Sequence, residues 1–312
     1  MQVLIAGGLG YLGGRISEYL HNKDYNIQIG TRNTSKNIGF KFQPNLKRIN
    51  WYNSNQLKKI CKDIDVIVHS SGMNAQDCIK DPIGAFEFNG NCTKKLLDAA
   101  ISSGVRRYIY LSTAHVYRSP LVGEINEEIS PNNLHPYATS HLAGENHILL
   151  QGQKKNIEGF VLRLSNVYGH PVDRDVNCWM LLMNNLCKQV SIKKIIELKS
   201  DSNQQRDFMT LTDFCKVVEI FIKKDFEYFN YDIYNVGSGK SKTLFQMAKL
   251  IQSRYNANFG LKPKIIHTSH KVNKDKIPLN YICEKLNLLR INLRNNYNDE
   301  IDNLLKFCNY VY

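Results

Sequence analysis

The run Gly7-Gly8-Leu9-Gly10-Tyr11-Leu12-Gly13 lies between an apolar segment, Gln2-Val3-Leu4-Ile5-Ala6, and a segment of helical period at residues 12–20. Glycine returns at every third position, at Gly7, Gly10 and Gly13. A chain without side chains there can turn tightly between strand and helix. Its backbone can also approach a pyrophosphate whose charge sits at the helix N-terminus, beside Tyr11 and Leu12. A glycine-rich turn alone is a weak signal. After a first strand and inside a strand-helix-strand unit it is a strong one, for a dinucleotide.

The pattern around the loop predicts the fold class. Short apolar strands are expected at residues 3–6, 26–30, 47–50, 65–69, 107–112 and 159–164. Helix-period segments lie at 12–20, 55–61, 85–103 and 140–150. Unbroken apolar runs such as Val66-Ile67-Val68 suit a sheet covered on both faces. Strand-helix alternation then implies a Rossmann-type, doubly wound parallel sheet. Right-handed crossovers put the carboxyl ends of its strands on one edge, where ligands bind. After residue 170 the pattern loosens, with helices expected at 178–188, 212–223, 244–254 and 297–307 and short strands at 195–198 and 265–267. The expected organisation is a dinucleotide-binding domain over 1–170. A smaller mixed substrate-binding lobe follows over 171–312, parts of which return to the sheet.

Composition narrows the class further. No apolar run among the 312 residues approaches a membrane span, and the chain opens directly as a strand, so a cytoplasmic protein without membrane attachment is expected. The eight cysteines are scattered without a C-x-x-C pair, which fits neither a disulfide framework nor a zinc site. His267 and His270 form a close pair without accompanying ligands, so no metal is expected. The net charge of +13 raises nucleic-acid binding. However, Lys58-Lys59, Lys154-Lys155, Lys193-Lys194 and Lys223-Lys224 are spread along the chain rather than gathered into a block. A generally basic surface that attracts anionic nucleotides is the simpler reading.

The second strand ends in Gly30-Thr31-Arg32-Asn33, and no Asp or Glu occurs between Asp24 and Asp63. A carboxylate at this point would bind the adenosine ribose 2′-hydroxyl of NAD. Arg32 can instead pair with a 2′-phosphate, with Thr31 donating a hydrogen bond. NADP(H) is therefore expected, with NAD(H) as the alternative.

Farther along, Tyr137-Ala138-Thr139-Ser140-His141 begins 130 residues after Gly7. With the glycine loop, it resembles the extended short-chain dehydrogenases/reductases: NAD(P)-dependent nucleotide-sugar epimerases, dehydratases and reductases. That family has lysine where this chain has His141. The resemblance covers most of the chain. Asn50, followed by Trp51, falls where the family has an aspartate at the adenine. His69-Ser70-Ser71-Gly72 matches the loop beneath the cofactor, and Asn89 the central-helix asparagine. Tyr110-Leu111-Ser112-Thr113 matches the strand that ends at the catalytic hydroxyl. Leu162–Gly169 matches the strand with a substrate-side asparagine, Asn166. Arg206-Asp207-Phe208 with Asp213 matches the segment whose arginine meets the substrate diphosphate, and Tyr234-Asn235-Val236-Gly237 the late strand and turn.

The resemblance implies that Tyr137 exchanges a proton with a substrate hydroxyl or carbonyl and that Thr113 orients the same oxygen. A free phenol, with a pKa near 10, is a poor base at neutral pH. A charged His141 would lower the tyrosine's pKa, whereas a neutral one could still donate to a ribose hydroxyl. Reduction tolerates the loss of lysine better than oxidation does, because a neutral tyrosine is already the acid that a reduced carbonyl needs. Dehydratases of the family follow their threonine with Asp-Glu, and Ala114-His115 stands there instead, which argues against 4,6-dehydration. His115 is an acid/base group, a hydrogen-bond partner of the substrate or a packed side chain at the strand's edge. Arg206 and Asn166 are diphosphate candidates, and Met73 and Asn74, with Ala75, candidates for the sugar pocket. Arg163, Asp207 and Asp213 read as local structural partners, and Met180 and Met183 as core.

The expected function is NADP(H)-dependent reduction of a keto-sugar carried on a nucleoside diphosphate. The alternatives are an epimerase with tightly bound NAD(P) and a non-catalytic nucleotide- or RNA-binding protein on the same fold. The resemblance also implies a homodimer built on the helices 85–103 and 140–150, with Ala143 and Gly144 permitting close approach.

Overall fold

Seven strands, all paired in parallel, make the central sheet of a computed structural model that describes residues 1–35, 39–225, 231–267 and 277–312. They are β1 (Gln2–Ala6), β2 (Asn26–Thr31), β3 (Leu46–Arg48), β4 (Val66–His69), β5 (Arg107–Thr113), β6 (Glu158–Leu164) and β7 (Tyr231–Val236). Across the sheet the order is β7-β6-β5-β4-β1-β2-β3. Every residue of β4 and β5 is buried, as unbroken apolar runs require. Alternation along β1 divides the core between two faces. Val3 and Ile5 pack with Ile16, Leu20 and Phe214, while Leu4 and Ala6 pack with Leu57, Leu96 and Tyr108. Each such aliphatic side chain contributes about 1.5–3 kcal/mol when fully buried.

Strand order reverses between β1 and β4, so the loops after these two strands open a crevice at the carboxyl edge. Gly7 has φ of +84°, and a β-carbon there would stand 2.6 Å from the Ser71 hydroxyl. Only glycine meets both demands.

Helical structure over the expected 85–103 segment is not uniform. A short helix, Pro82–Ala85, passes into a π-helical turn, Phe86–Cys92, and then into the α-helix Thr93–Ser102. A shorter helix, Ala75–Lys80, precedes them, capped by the Asn74 side chain. The next helix is longer than expected, Pro136–Gln153 rather than 140–150. Its N-cap is His135, whose Nδ1 accepts from the Tyr137 amide at 3.1 Å, and Pro136 takes the first helical position, where its missing N–H costs nothing. Gly144 lies inside the molecule: a β-carbon there would meet the Tyr110 hydroxyl at 2.6 Å and the Asn89 carbonyl at 2.8 Å. The close approach it permits is therefore within the chain, a correction to its expected place between subunits. Ala143 faces the same helical turn, 3.2 Å from where a Gly90 β-carbon would stand.

Outside the central sheet the chain builds small sheets. Asn166–Tyr168, Gln205–Thr210 and Ser241–Thr243 form one, Ile195–Leu198 pairs with Lys264–His267, and Gly123–Ile125 pairs with Leu279–Tyr281. A third apolar cluster around Met183, Leu186, Phe208, Met247, Ile251 and Leu304 holds this part together. The helix expected at 178–188 runs instead from Leu182 to Lys193, because Cys178–Leu181 forms a turn that precedes it. Helices Leu211–Lys223, Leu244–Phe259 and Tyr297–Val311 cover the remaining expected segments. His270 lies outside the described residues. Among those described, no helix is long and apolar enough to cross a membrane.

Candidate active site

A cleft of about 990 Å³ runs along the carboxyl edge of the sheet. This is at the upper end for small-molecule sites. Gly7, Gly10, Tyr11 and Leu12 line one end, at the start of helix Tyr11–His21. The first turn of that helix carries no acidic residue, so its free amides meet no competing charge. Gly13 does not line the cleft; it packs where a β-carbon would stand 2.4 Å from the Gly7 carbonyl oxygen. The Tyr11 phenol turns away and donates to the Gly169 carbonyl at 3.0 Å. Ser70 and Ser71 form the opposite lip, with the Ser70 hydroxyl donating to the Ala6 carbonyl at 2.8 Å. The glycine cradle and the amides of the helix start fit a dinucleotide pyrophosphate.

At the outer end, Thr31, Arg32, Trp51 and Phe88 line the wall. The Arg32 guanidinium sits 5.4 Å from the Phe88 ring centroid, and Phe88 meets Trp51 edge-on. Thr31 closes a local turn with Asn33, accepting from its amide at 3.1 Å. Asn50 is exposed, away from the lining, and caps its own turn by accepting from the Tyr52 amide at 3.2 Å. His69 is buried behind Trp51, hydrogen-bonded to Tyr108, and does not reach the cleft. Burial, and then the neighbouring His141, push its pKa down to about 3.

The inner end holds Thr113, Tyr137 and His141 together. β5 delivers Thr113 at its last residue, and the long helix delivers the other two one turn apart. The Tyr137 phenol stands near enough to the Thr113 hydroxyl for that hydroxyl to act on its titration. The Tyr137 and His141 rings meet edge-on at 4.6 Å. Burial pushes the Tyr137 pKa up to about 12, against the opposing effect of Thr113. Burial also lowers His141 to about 4, so at neutral pH it is an uncharged imidazole beside a protonated phenol. Of the two sequence-based options for His141, a cation and a neutral imidazole, burial favours the neutral one. Asn89 stays outside the cleft and braces it. The π-helical turn swings its amide inward, where Oδ1 accepts from the Met73 amide at 2.8 Å and Nδ2 donates to the Ser140 hydroxyl at 3.0 Å.

Across from this group lie His115, Asn166, Arg206, Met73 and Asn74. Arg206 has no ion pair or hydrogen bond among the described residues, and burial lowers its pKa. A guanidinium held without a carboxylate on a cleft wall keeps its charge available to whatever enters the cleft. The surrounding protein, and then the Arg206 and His135 charges, lower the His115 pKa. The Asn166 side-chain amide donates to the Asp207 carbonyl at 2.9 Å, and the Asn74 amide is taken up by its helix cap. Met180 is 39% exposed and lines the cleft, a correction to its expected core position that follows from its place in the turn before the helix; Met183 is core. Asp207 and Asp213 are local partners, accepting from Ser238 and Lys240 and from Lys216 and Asn295 respectively. Sequence reasoning passed over Phe88, visible only as an aromatic next to Asn89. It also passed over Tyr110 as a partner of His141, which alternation along β5 placed on the same face as Ser112.

A family profile described as the NAD dependent epimerase/dehydratase family matches residues 3–237. The chain is 24% identical over 277 residues to the UDP-glucose 4-epimerase of Bacillus subtilis, covering 81% of each chain. Its fold is similar to that of a Thermus thermophilus UDP-glucose 4-epimerase solved with NAD, with a TM-score of 0.82, 19% identity and full coverage of both chains. It is also similar to RMD from Pseudomonas aeruginosa solved with NADPH, with a TM-score of 0.80, 18% identity and coverage of 99% and 97%. The matched segment is three quarters of the sequence and spans both the glycine loop and the Tyr137–His141 helix: the chain belongs to the NAD-dependent epimerase/dehydratase family.

Proposed function

We propose that the protein is an NADPH-dependent reductase of a keto-sugar carried on a nucleoside diphosphate. The observation that carries this reading is the inner end of the cleft, where Tyr137 stands beside Thr113 and edge-on to the buried His141 ring, and burial raises the pKa of the phenol and lowers that of the imidazole. The phenol is an acid poised to give a proton, with no cation among the described residues acting on it to make it a base. When bound, the dihydronicotinamide supplies the hydride. Tyr137 then protonates the oxygen as the carbonyl becomes an alcohol, and Thr113 holds that oxygen in place. His141 donates to a ribose hydroxyl. Gly7, Gly10 and the amides of Tyr11 and Leu12 hold the pyrophosphate, Arg32 pairs with the 2′-phosphate, and Trp51 and Ser71 line the cofactor side. Arg206, Asn166 and His115 face the substrate, with Met73 against the sugar. In this reading residues 1–170 hold the cofactor and the later segment supplies much of the substrate wall.

Support for the class comes from family membership and from neighbours solved with NAD and with NADPH. Support for NADPH comes from Arg32 at the outer end, with no carboxylate beside Thr31. The Bacillus relative's name favours a second reading, a sugar epimerase that keeps its dinucleotide through repeated cycles.

Replacement of Tyr137 by Phe is expected to lower turnover about 10²–10⁴-fold and to leave NADPH binding within a few-fold of the parent. Steady-state kinetics with a nucleotide-linked keto-sugar, together with a fluorescence titration, measure both. Unchanged turnover would remove Tyr137 from the chemistry and the proposal with it.

A further inference from the structure

The two nitrogens of His141 face different surroundings. Nδ1 lies 3.0 Å from the buried hydroxyl of Tyr110. The Cε1–Nε2 edge faces the Gly72 backbone, where a β-carbon would stand 3.6 Å from both atoms. Gly72 and His141 both line the cleft, and Nε2 has no hydrogen-bond partner among the described residues.

We propose that Tyr110 is a positioning residue: its hydroxyl gives its hydrogen bond to Nδ1 of His141, which fixes the imidazole's own proton on Nε2 and presents it, uncharged, to a ligand oxygen in the cleft. The identity of that oxygen, a dinucleotide ribose hydroxyl, rests on the function proposed above.

The direction follows from competition for one hydrogen. Besides Nδ1, the acceptors near Tyr110 are the Asn89 carbonyl, 3.4 Å away and already accepting from the Thr93 hydroxyl at 2.7 Å, and the Thr93 hydroxyl oxygen itself. Nδ1 is nearer than that carbonyl and has no other partner among the described residues. Burial holds Tyr110 protonated, well above the usual phenol value, while it keeps His141 neutral. A second proton on the imidazole would turn Nδ1 into a donor and force the Tyr110 hydrogen onto the Asn89 carbonyl or the Thr93 hydroxyl. Gly144 leaves the space that the Tyr110 hydroxyl occupies. The strand, the helix and the missing side chain together place a directed donor, without charge, where a lysine would place a cation.

Nitrogen NMR of the full chain with isotope-labelled histidine tests this, with His141 assigned by its absence from a His141→Gln protein. A pyridine-type signal at Nδ1 and a pyrrole-type signal at Nε2 are expected at neutral pH. In Tyr110→Phe a mixture of tautomers and roughly tenfold weaker NADPH binding are expected. A pyrrole-type Nδ1 in the unaltered protein would overturn the proposal, and so would a Tyr110→Phe protein with an unchanged spectrum and affinity. The spectrum of the unaltered protein decides even if a variant does not fold. The expected tautomer in a protein that binds neither NADPH nor NADH would support the Tyr110–His141 pairing and contradict the dinucleotide reading.

Discussion

His141 changes what can be asked of Tyr137. A cation beside a phenol stabilises the phenolate, and a buried neutral imidazole does not. With burial holding Tyr137 near 12, its protonated form persists through the neutral range. An acid loses activity as pH rises through its pKa, so the reductive rate should stay flat through neutrality and fall only on the far alkaline side. A His141→Lys protein brings the charge back. Its alkaline limb should move to lower pH by about one unit or more. A pH–rate profile that does not move would show that the residue at 141 has no electrostatic hold on Tyr137. The identity of these side chains was legible in the sequence because Tyr137, His141 and Thr113 stand in a recognisable order. The charge state of His141 was not, since it depends on burial by elements distant in the chain.

The element that carries Tyr137 and His141 is anchored by a buried ion pair. Glu145, on helix Pro136–Gln153, accepts from Arg163 on β6 at 2.7 Å and also from the Ser112 hydroxyl on β5. Both members are almost fully buried, which favours the pair only while it stays complete. A Glu145→Ala protein leaves Arg163 charged and unmatched in the core and should lose about 3–5 kcal/mol of stability in urea denaturation. A loss below about 1 kcal/mol would mean that solvent or another group takes over the guanidinium. At this scale periodicity read the sheet well: β1, β2, β4, β5 and β6 fall within about a residue or two of the expected spans, because their apolar runs are short and bounded by turns. It missed the π-helical turn at Phe86–Cys92, since an apolar pattern of helical period does not show where one extra residue enters the ladder. That turn aims Asn89 inward. The late strand β7 was legible only through its resemblance to a family motif, because its Tyr231–Val236 run stands apart from the earlier alternation.

For the whole molecule, the cleft is a consequence of topology. The reversal between β1 and β4 opens it, and the smaller sheets bring Asn166 and Arg206 across from Tyr137. Ile79, Ile83 and Phe86 are exposed on the helical stretch before Asn89, Ile83 to 85%. Apolar side chains gathered on one stretch suit a helix-to-helix interface, and a homodimer is proposed on this face. Light scattering should give a dimer mass for the parent protein and a monomer for an Ile83→Lys variant; a monomeric parent would contradict it. The net charge of +13 adds attraction for an anionic nucleotide ligand without naming the ligand.

The most direct measurement follows cofactor consumption against sugar conversion when the purified protein is given a nucleotide-linked keto-sugar with NADPH and, separately, with NADH. The account predicts that NADPH is consumed in equal amount to the alcohol formed, with NADH a much poorer donor. Sugar interconverted with no net consumption of either cofactor would contradict the reductase and establish an epimerase on the same residues.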